Sequence, residues 1–410
     1  MSVHAETFRP LQDAPNRQHR LSIFVHRASQ CLTDYEPHGD GLICFSLLNG
    51  LAQRGHKIYA YTDYAAIKNP HPNLIVRSHA PLSPANALVP LEHAWRANRW
   101  LRALQSEMAI DLVWRMHPYG DGCPSVPQSG KLPLALGPLF YSWPSSVVES
   151  DAKTNARPRF GIGLRRLVEP LAQRGWNRTL RKADLIFCAT EQQARQLRAQ
   201  LVGKRVESLP VAVDCNADAA MAVPRDVSTS VRMVFVGNLY LRKRPSVFCE
   251  LVSRLREAGV AVDALIVGDG PERESLQNYC DVHDLSSLVK FCGKVPNNRV
   301  PEFLRGADLF VSTAVGEPYG RNIAEAMSCG VPCLAHRSGG PADLIEHNVD
   351  GLLADDVSAK SYADVTLPFC REPGRFRALG AQAREKAGAW TSQRVLDRLE
   401  SALSTLVDQR

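Results

Sequence analysis

The chain has 410 residues, a formal net charge of +7, 45% hydrophobic residues and 22% charged residues. At about 150 residues per domain, this length predicts two to three folded domains, and the composition excludes disordered, collagen-like and coiled-coil classes. The positive balance suits an anionic ligand or an anionic membrane surface; it is modest for a nucleic-acid binder, so no nucleic-acid partner is expected.

The first twenty residues hold Glu6, Arg9, Asp13, Arg17 and Arg20 without an apolar run. No secretory signal is expected, and a cytoplasmic location follows as an expectation. The longest uncharged stretch, 132–148, is broken by Pro133, Pro138 and Pro144, which argues against a spanning helix. Eleven cysteines are scattered without a Cys-x-x-Cys pair, and Cys329 and Cys333 lack the neighbours that would complete a zinc site. They read as reduced, mostly buried thiols.

In chain order, 21–25 (Leu-Ser-Ile-Phe-Val) reads as a strand and His38-Gly39-Asp40-Gly41 as a loop. A helical period over 42–53 stops at Arg54-Gly55, and a second strand covers 58–62. Strand, helix, strand in about 40 residues is the unit of a parallel sheet with helices on its faces. A further apolar strand at 111–116 ends at His117, where a side chain faces the crevice. Residues 214–230, rich in Ala, Asp, Ser and Thr, read as a linker. Beyond it the unit returns, with a strand at 231–236, a helix at 245–257 closed by Ala258-Gly259, and a strand at 262–267. Arg181-Lys-Ala-Asp-Leu-Ile-Phe and Arg305-Gly-Ala-Asp-Leu-Phe-Val echo one another.

The expected fold class is therefore α/β, with two Rossmann-like, doubly wound parallel-sheet domains facing a cleft. The expected domains are 20–213, a linker at 214–230, and 231–390. A final helix over 391–410 carries Val395, Leu396, Leu399, Leu403 and Leu406 on one face. That face must pack on something, and the N-terminal domain is the expected partner.

The richest segment is 312–332. A strand ends at Thr313, a loop carries Gly316, Glu317, Pro318 and Gly320, and a helix starts near Asn322, carries Glu325, and stops at Gly330. Glu317 and Glu325 then flank a helix N-terminus whose free N–H groups suit a diphosphate. Taken alone, the spacing reads first as a helix start at Glu317 plus a solvated acid at Glu325. The strand before it, and 331–336 followed by Ser338-Gly-Gly-Pro-Ala-Asp, make the functional reading stronger.

With these motifs, and with Ile266-Val-Gly-Asp-Gly-Pro-Glu, Phe291-Cys-Gly-Lys-Val-Pro and Gly351-Leu-Leu, residues 21–394 resemble the nucleotide-sugar glycosyltransferases of the B-type, two-Rossmann-domain fold. The resemblance is to the retaining family 4 (group 1). It implies that Glu325 holds ribose hydroxyls and that Glu317 contacts the transferred sugar. It also implies that the backbone of Gly320, Arg321, Asn322 and Ile323 touches the phosphates, while Gly293 and Val295 line the base. Lys243 falls at the family's diphosphate lysine. Asn238 stands where the family usually has arginine, with Arg242 or Arg244 as compensating cations; the alternative for this basic trio is a solvated loop. Fixed cations and helix-end N–H groups can stabilise the leaving diphosphate, and no Asp-x-Asp metal motif occurs. No metal and no cofactor is expected. Retention of anomeric configuration is implied by the family alone.

On the acceptor side, His117 either orients the donor sugar, assists the acceptor hydroxyl or is structural. Gly39, Asp40 and Gly41 are similar to the family's glycine loop, or form an ordinary turn. Residues 161–184 carry Arg165, Arg166, Arg174, Arg178, Arg181 and Lys182 beside Leu164, Leu167, Leu171, Trp176 and Leu180. They form either a solvated face or a peripheral contact with anionic lipid at the inner face of a membrane. The second of these would suit a glycan or lipid-linked acceptor.

The resemblance makes the expected function transfer of a sugar from a nucleoside-diphosphate sugar to a hydroxyl. A Rossmann oxidoreductase fails because Val267-Gly-Asp-Gly-Pro-Glu-Arg lacks the last glycine of its fingerprint. A non-catalytic sugar-nucleotide-binding or partner subunit of the same fold is the alternative, which Asn238 favours and Glu317, Lys243 and Glu325 oppose.

Overall fold

The structure, a computed structural model, describes residues 20–29, 31–36, 39–79, 89–116, 132–139, 177–214, 230–372 and 374–409, with 89–91 as backbone only. The N-terminal strands are β1 (Ser22–Arg27), β2 (Cys31–Thr33), β3 (Lys57–Thr62), β4 (Tyr64–Ala66), β5 (Leu74–Ser78), β6 (Leu112–Arg115), β7 (Leu134–Leu136), β8 (Leu185–Cys188) and β9 (Arg205–Ser208). Seven of them form one sheet in the order β5-β3-β1-β6-β7-β8-β9, and β2 pairs with β4 separately. The second sheet consists of β10 (Val231–Val236), β11 (Val262–Val267), β12 (Val289–Gly293), β13 (Leu309–Ser312), β14 (Cys333–His336) and β15 (Gly351–Ala354), in the order β12-β11-β10-β13-β14-β15.

Every pairing for which a register is defined is parallel. The central strands carry fully buried apolar side chains on both faces, among them Ile23, Phe24 and Val25 in β1 and Met233 and Val234 in β10. Such strands are stable only with helices covering both faces. In each sheet the chain starts in the middle, builds one side, then crosses to build the other. The reversal lies between β1 and β6 in the first sheet and between β10 and β13 in the second, and ligand crevices open outside the strand ends at such points.

The helices are α1 (Gly39–Gln53), α2 (Val89–Glu107), α3 (Glu191–Gln200), α4 (Pro245–Glu257), α5 (Arg273–Val282), α6 (Val300–Arg305), α7 (Arg321–Ser328), α8 (Gly339–Leu344), α9 (Ala359–Cys370), α10 (Gly374–Ala387) and α11 (Ser392–Asp408). The strands expected at 231–236 and 262–267 and the helix expected at 245–257 coincide with β10, β11 and α4, and the final helix expected over 391–410 is α11, Ser392–Asp408. α1 corrects the reading of its neighbourhood, because Gly39, Asp40 and Gly41 form its first turn and not a loop. The carboxylate of Asp40 suits the positive end of a helix, and buried Gly41 lies within the helix wall.

α11 turns its apolar stripe onto α1. Val395, Leu399 and Leu403 are almost fully buried, and Leu396 occupies the space a Cβ on Gly50 would need. The backbone of Val213 donates to Trp390 O at 2.9 Å, and Ser392 N donates to Asp214 Oδ1 at 2.9 Å. The two chain crossings between the domains therefore touch. Residues 215–229 of the expected linker lie outside the described residues. No described helix is long and apolar enough to cross a membrane.

Candidate functional site

The carboxyl ends of β10 and β13 converge on a small depression lined by Val236, Ser312, Thr313, Lys243, Glu317 and Asn322, among others. Several of its polar members are tied to the backbone. After β10 the chain makes a 3-10 turn, Leu241–Lys243, ending at Arg244 with φ 47°. Pro245 then opens α4, where a missing N–H costs nothing. Thr313 Oγ1 donates to the Lys243 carbonyl at 2.7 Å. This aims Lys243 across the depression, where Nζ meets Glu317 Oε2 at 2.5 Å. Behind Glu317, its carbonyl accepts from Gly340 N at 2.8 Å. A Cβ on Gly339 would lie 2.6 Å from that same oxygen, so the turn must be glycine.

Gly320, with φ 70°, caps α7, whose first-turn N–H groups have no partner within the helix, and Gly320, Asn322 and Ile323 line the depression. Asn322 Nδ2 donates to the Val236 carbonyl at 2.7 Å, tying α7 to the end of β10. Ile323 is 1% exposed and packed in the core, so only its backbone is available. Glu325 lies one turn on and pairs with Arg321, Nε to Oε1 at 2.8 Å. It borders a different space, a crevice of about 390 Å³ between the domains, walled by Asn297, Asn298, Val300, Arg305, Ser328 and, from α1, Ile43.

The expected residues are therefore divided. Lys243, Glu317, Gly320, Asn322 and Ile323 share the depression, while Glu325 and Arg321 share the crevice. Gly293 ends β12 with φ 71° and Val295 is half-buried against the core; the crevice wall is made instead by Asn297 and Asn298, just beyond. Of the three residues near Lys243, Asn238 and Arg244 are exposed, and the Arg242 guanidinium stacks 5.2 Å over the Tyr240 ring. His117 and residues 161–176 lie outside the described residues.

The glycines of Val267-Gly268-Asp269-Gly270 serve the site indirectly. A Cβ on Gly268, at φ 142°, would lie 1.9 Å from Gly237 O, and one on Gly270 would lie 2.6 Å from Leu239 O. They let the 268–270 loop support the segment that leads from β10 to Lys243.

The opposite reversal, between β1 and β6, holds a buried polar network. Arg27 and Arg115 are register partners. Arg27 Nη2 meets Asp63 Oδ2 at 3.0 Å, and Asp63 Oδ1 lies 2.5 Å from His93 Nδ1, whose Nε2 donates to the His26 carbonyl at 2.9 Å. Burial works against the Asp63 carboxylate, but the His93 hydrogen bond and the Arg27 charge outweigh it and hold the carboxyl below its usual range. Burial, then the charges of Arg115, His93 and Arg27, push the His26 ring well below its ordinary value. Nothing in the local sequence marks the Arg27–Asp63–His93 chain, since successive members are 30 or more residues apart. By contrast, the Arg321–Glu325 pair is an i,i+4 spacing visible in the sequence.

Residues 218–386 match the family model of glycosyl transferases group 1. The group 1 segment holds every residue placed around the depression. Among curated proteins, N-acetyl-alpha-D-glucosaminyl L-malate synthase of Bacillus anthracis is 30% identical over 155 residues, covering 37% of this chain and 40% of that protein. The chain spans about half the length of the curated relatives it matches. Among solved structures, sucrose-phosphate synthase from Thermosynechococcus elongatus superposes with a TM-score of 0.71 at 16% identity, covering 95% of this chain and 100% of that one. Anabaena HepE in complex with UDP gives 0.68 at 17% identity, covering 94% and 100%. The two-domain architecture built around the group 1 segment is the B-type glycosyltransferase fold.

Proposed function

We propose that the chain is a retaining, metal-independent glycosyltransferase that moves a sugar from a nucleoside-diphosphate sugar to a hydroxyl of a glycan or lipid-linked acceptor. The observation that carries this reading is the convergence of Lys243, Glu317 and the N-terminus of α7 at the reversal of the second sheet. Departure of a nucleoside diphosphate builds negative charge on its terminal phosphate. Lys243 and the first N–H groups of α7 are held in place to receive that charge, so little reorganisation accompanies bond breaking. Glu317, anchored through its own carbonyl, faces the sugar. Glu325, in the adjoining crevice, is placed for ribose hydroxyls while Asn297 and Asn298 wall the space beyond it. Retention follows the family resemblance. The relatives named as glycosyltransferases and the UDP bound to HepE support the same donor class.

Calorimetric titration of UDP, GDP, ADP and CMP in EDTA, comparing wild type with Glu325→Gln, tests the reading. Selective metal-free binding, weakened by the substitution, is expected. Binding of none of the four would overturn it in favour of a non-catalytic subunit, the reading that Asn238 favours.

A further inference from the structure

We infer that Glu317 acts as an internal competitor for Lys243, so that donor binding is an ion-pair exchange in which the diphosphate displaces the carboxylate and thereby releases it for the sugar. This rests on the donor-site reading above and adds how the site selects its ligand.

Three observations carry it. First, Lys243 and Glu317 are 2.5 Å apart and only 20% and 13% exposed, so each is the other's counter-ion in a poorly hydrated place. Second, the pair bridges two separate segments, the turn after β10 and the loop after β13, across the point where a ligand would enter. The depression it spans retains only about 10 Å³ of free space, room for about one water molecule. A phosphate that fills the depression must part the pair. Third, the other acid behaves differently. Glu325 and Arg321 lie on one helix and move together, and only Oε1 of Glu325 engages the arginine Nε. That pair need not open.

Desolvation of a carboxylate is costly unless a cation or hydrogen-bond donors replace the water. Lys243 therefore leaves Glu317 only for a ligand of comparable or greater negative charge. The sugar hydroxyls that accompany a diphosphate then provide new partners for the freed carboxylate. A nucleoside monophosphate offers less charge, and a free sugar offers none. The site thus favours a ligand that brings diphosphate and sugar together. For a nucleoside diphosphate without sugar, Glu317 is a net cost.

The consequence has an unusual sign. Glu317→Gln, which removes a group assigned to the reaction, tightens binding of the bare diphosphate by about three- to tenfold while abolishing transfer. Lys243→Met weakens it by about tenfold or more, and adding Glu317→Gln to Lys243→Met gives no gain. Calorimetry of whichever nucleoside diphosphate the wild type binds, on all four proteins, measures this cycle. Urea unfolding of the same four proteins without nucleotide asks whether the pair is coupled in the empty site. Tighter binding by Glu317→Gln with coupling in unfolding is the expected result. Equal or weaker binding by Glu317→Gln, with wild-type binding intact, overturns the exchange and leaves the donor site standing. Failure of every protein to bind any nucleotide, with coupling still seen in unfolding, overturns both and makes the pair structural.

Discussion

Arg54, at the end of the first helix, reaches Glu400, in the last, at 2.7 Å. The two residues are 346 positions apart, and the contact bolts a helix that follows the second domain in sequence onto the first domain in space. His56 Nε2 approaches the other carboxylate oxygen at 2.9 Å and Arg54 also meets Asp397 at 2.8 Å. Val213–Trp390 and Asp214–Ser392 are likewise joined at the crossings between the domains.

This latch is expected to be acid-sensitive. Partial burial opposes the charge of Glu400, yet the hydrogen bonds from Arg54 and His56 overcome it and lower its pKa. A depressed carboxyl contributes stability above its unfolded value, about 4.3, and loses it as pH falls through the lower folded value. Thermal unfolding should show Glu400→Gln lowering the Tm at pH 7 and shrinking the difference between about pH 6 and pH 3. An unchanged difference would mean the latch does not titrate.

Asp63 is the more consequential acid. It joins Arg27 and His93 at the first sheet's reversal, where Arg27 is 3% exposed and Asp63 10%. Asp63→Asn keeps the shape but leaves the guanidinium with an uncharged partner, which should cost roughly 3–5 kcal/mol. Urea denaturation measures this directly, and a loss below about 1 kcal/mol would show that other groups neutralise Arg27.

The sequence was most legible where apolar period and punctuation agree. Pro245 opens α4 and Ala258-Gly259 closes it, so its bounds could be read to the residue; the same holds for β10 and β11, whose apolar runs are sharply bounded. The first helix was less clear because Gly39 and Gly41 are loop-like by composition, and their helical state depends on the surrounding structure. The donor-side motif was visible because Glu317, Gly320 and Glu325 lie close in sequence. What stayed hidden were the relations between distant segments: Lys243 with Glu317, Asp63 with His93, and Gln193 Nε2 donating to the Pro318 carbonyl at 3.1 Å across the domains. No local period encodes such contacts.

Gly268 tests whether support from below matters to the site. The atom a Cβ would strike is backbone, Gly237 O, which cannot rotate away as a side chain could. Gly268→Ala should therefore displace the segment leading to Lys243 and, through it, the cation at the depression. Strain of roughly 1–3 kcal/mol and a loss of nucleoside-diphosphate affinity on the order of 10- to 100-fold are expected. If unfolding shows the strain but calorimetry shows wild-type affinity, the loop is structural only.

Asn238 offers a gain-of-binding prediction. Its carbonyl accepts from Tyr240 N at 2.9 Å, and the next residue, Leu239, is fully buried with its N–H bound to Asp269 O at 3.0 Å. The backbone is thus fixed on both sides while the Asn238 side chain is exposed, so an arginine there adds a cation without disturbing the segment that leads to Lys243. The Arg242 guanidinium lies over the Tyr240 ring, and Arg244 takes a left-handed backbone conformation just before α4. Asn238→Arg adds a charge-assisted partner for a phosphate, a contact worth about 1.5–3 kcal/mol. Calorimetry in EDTA should therefore show nucleoside-diphosphate affinity rising by about tenfold or more. The gain should shrink with added salt, since the new cation stands near solvent. Unchanged affinity would place the diphosphate beyond the reach of residue 238, nearer to Lys243 and the first turn of α7.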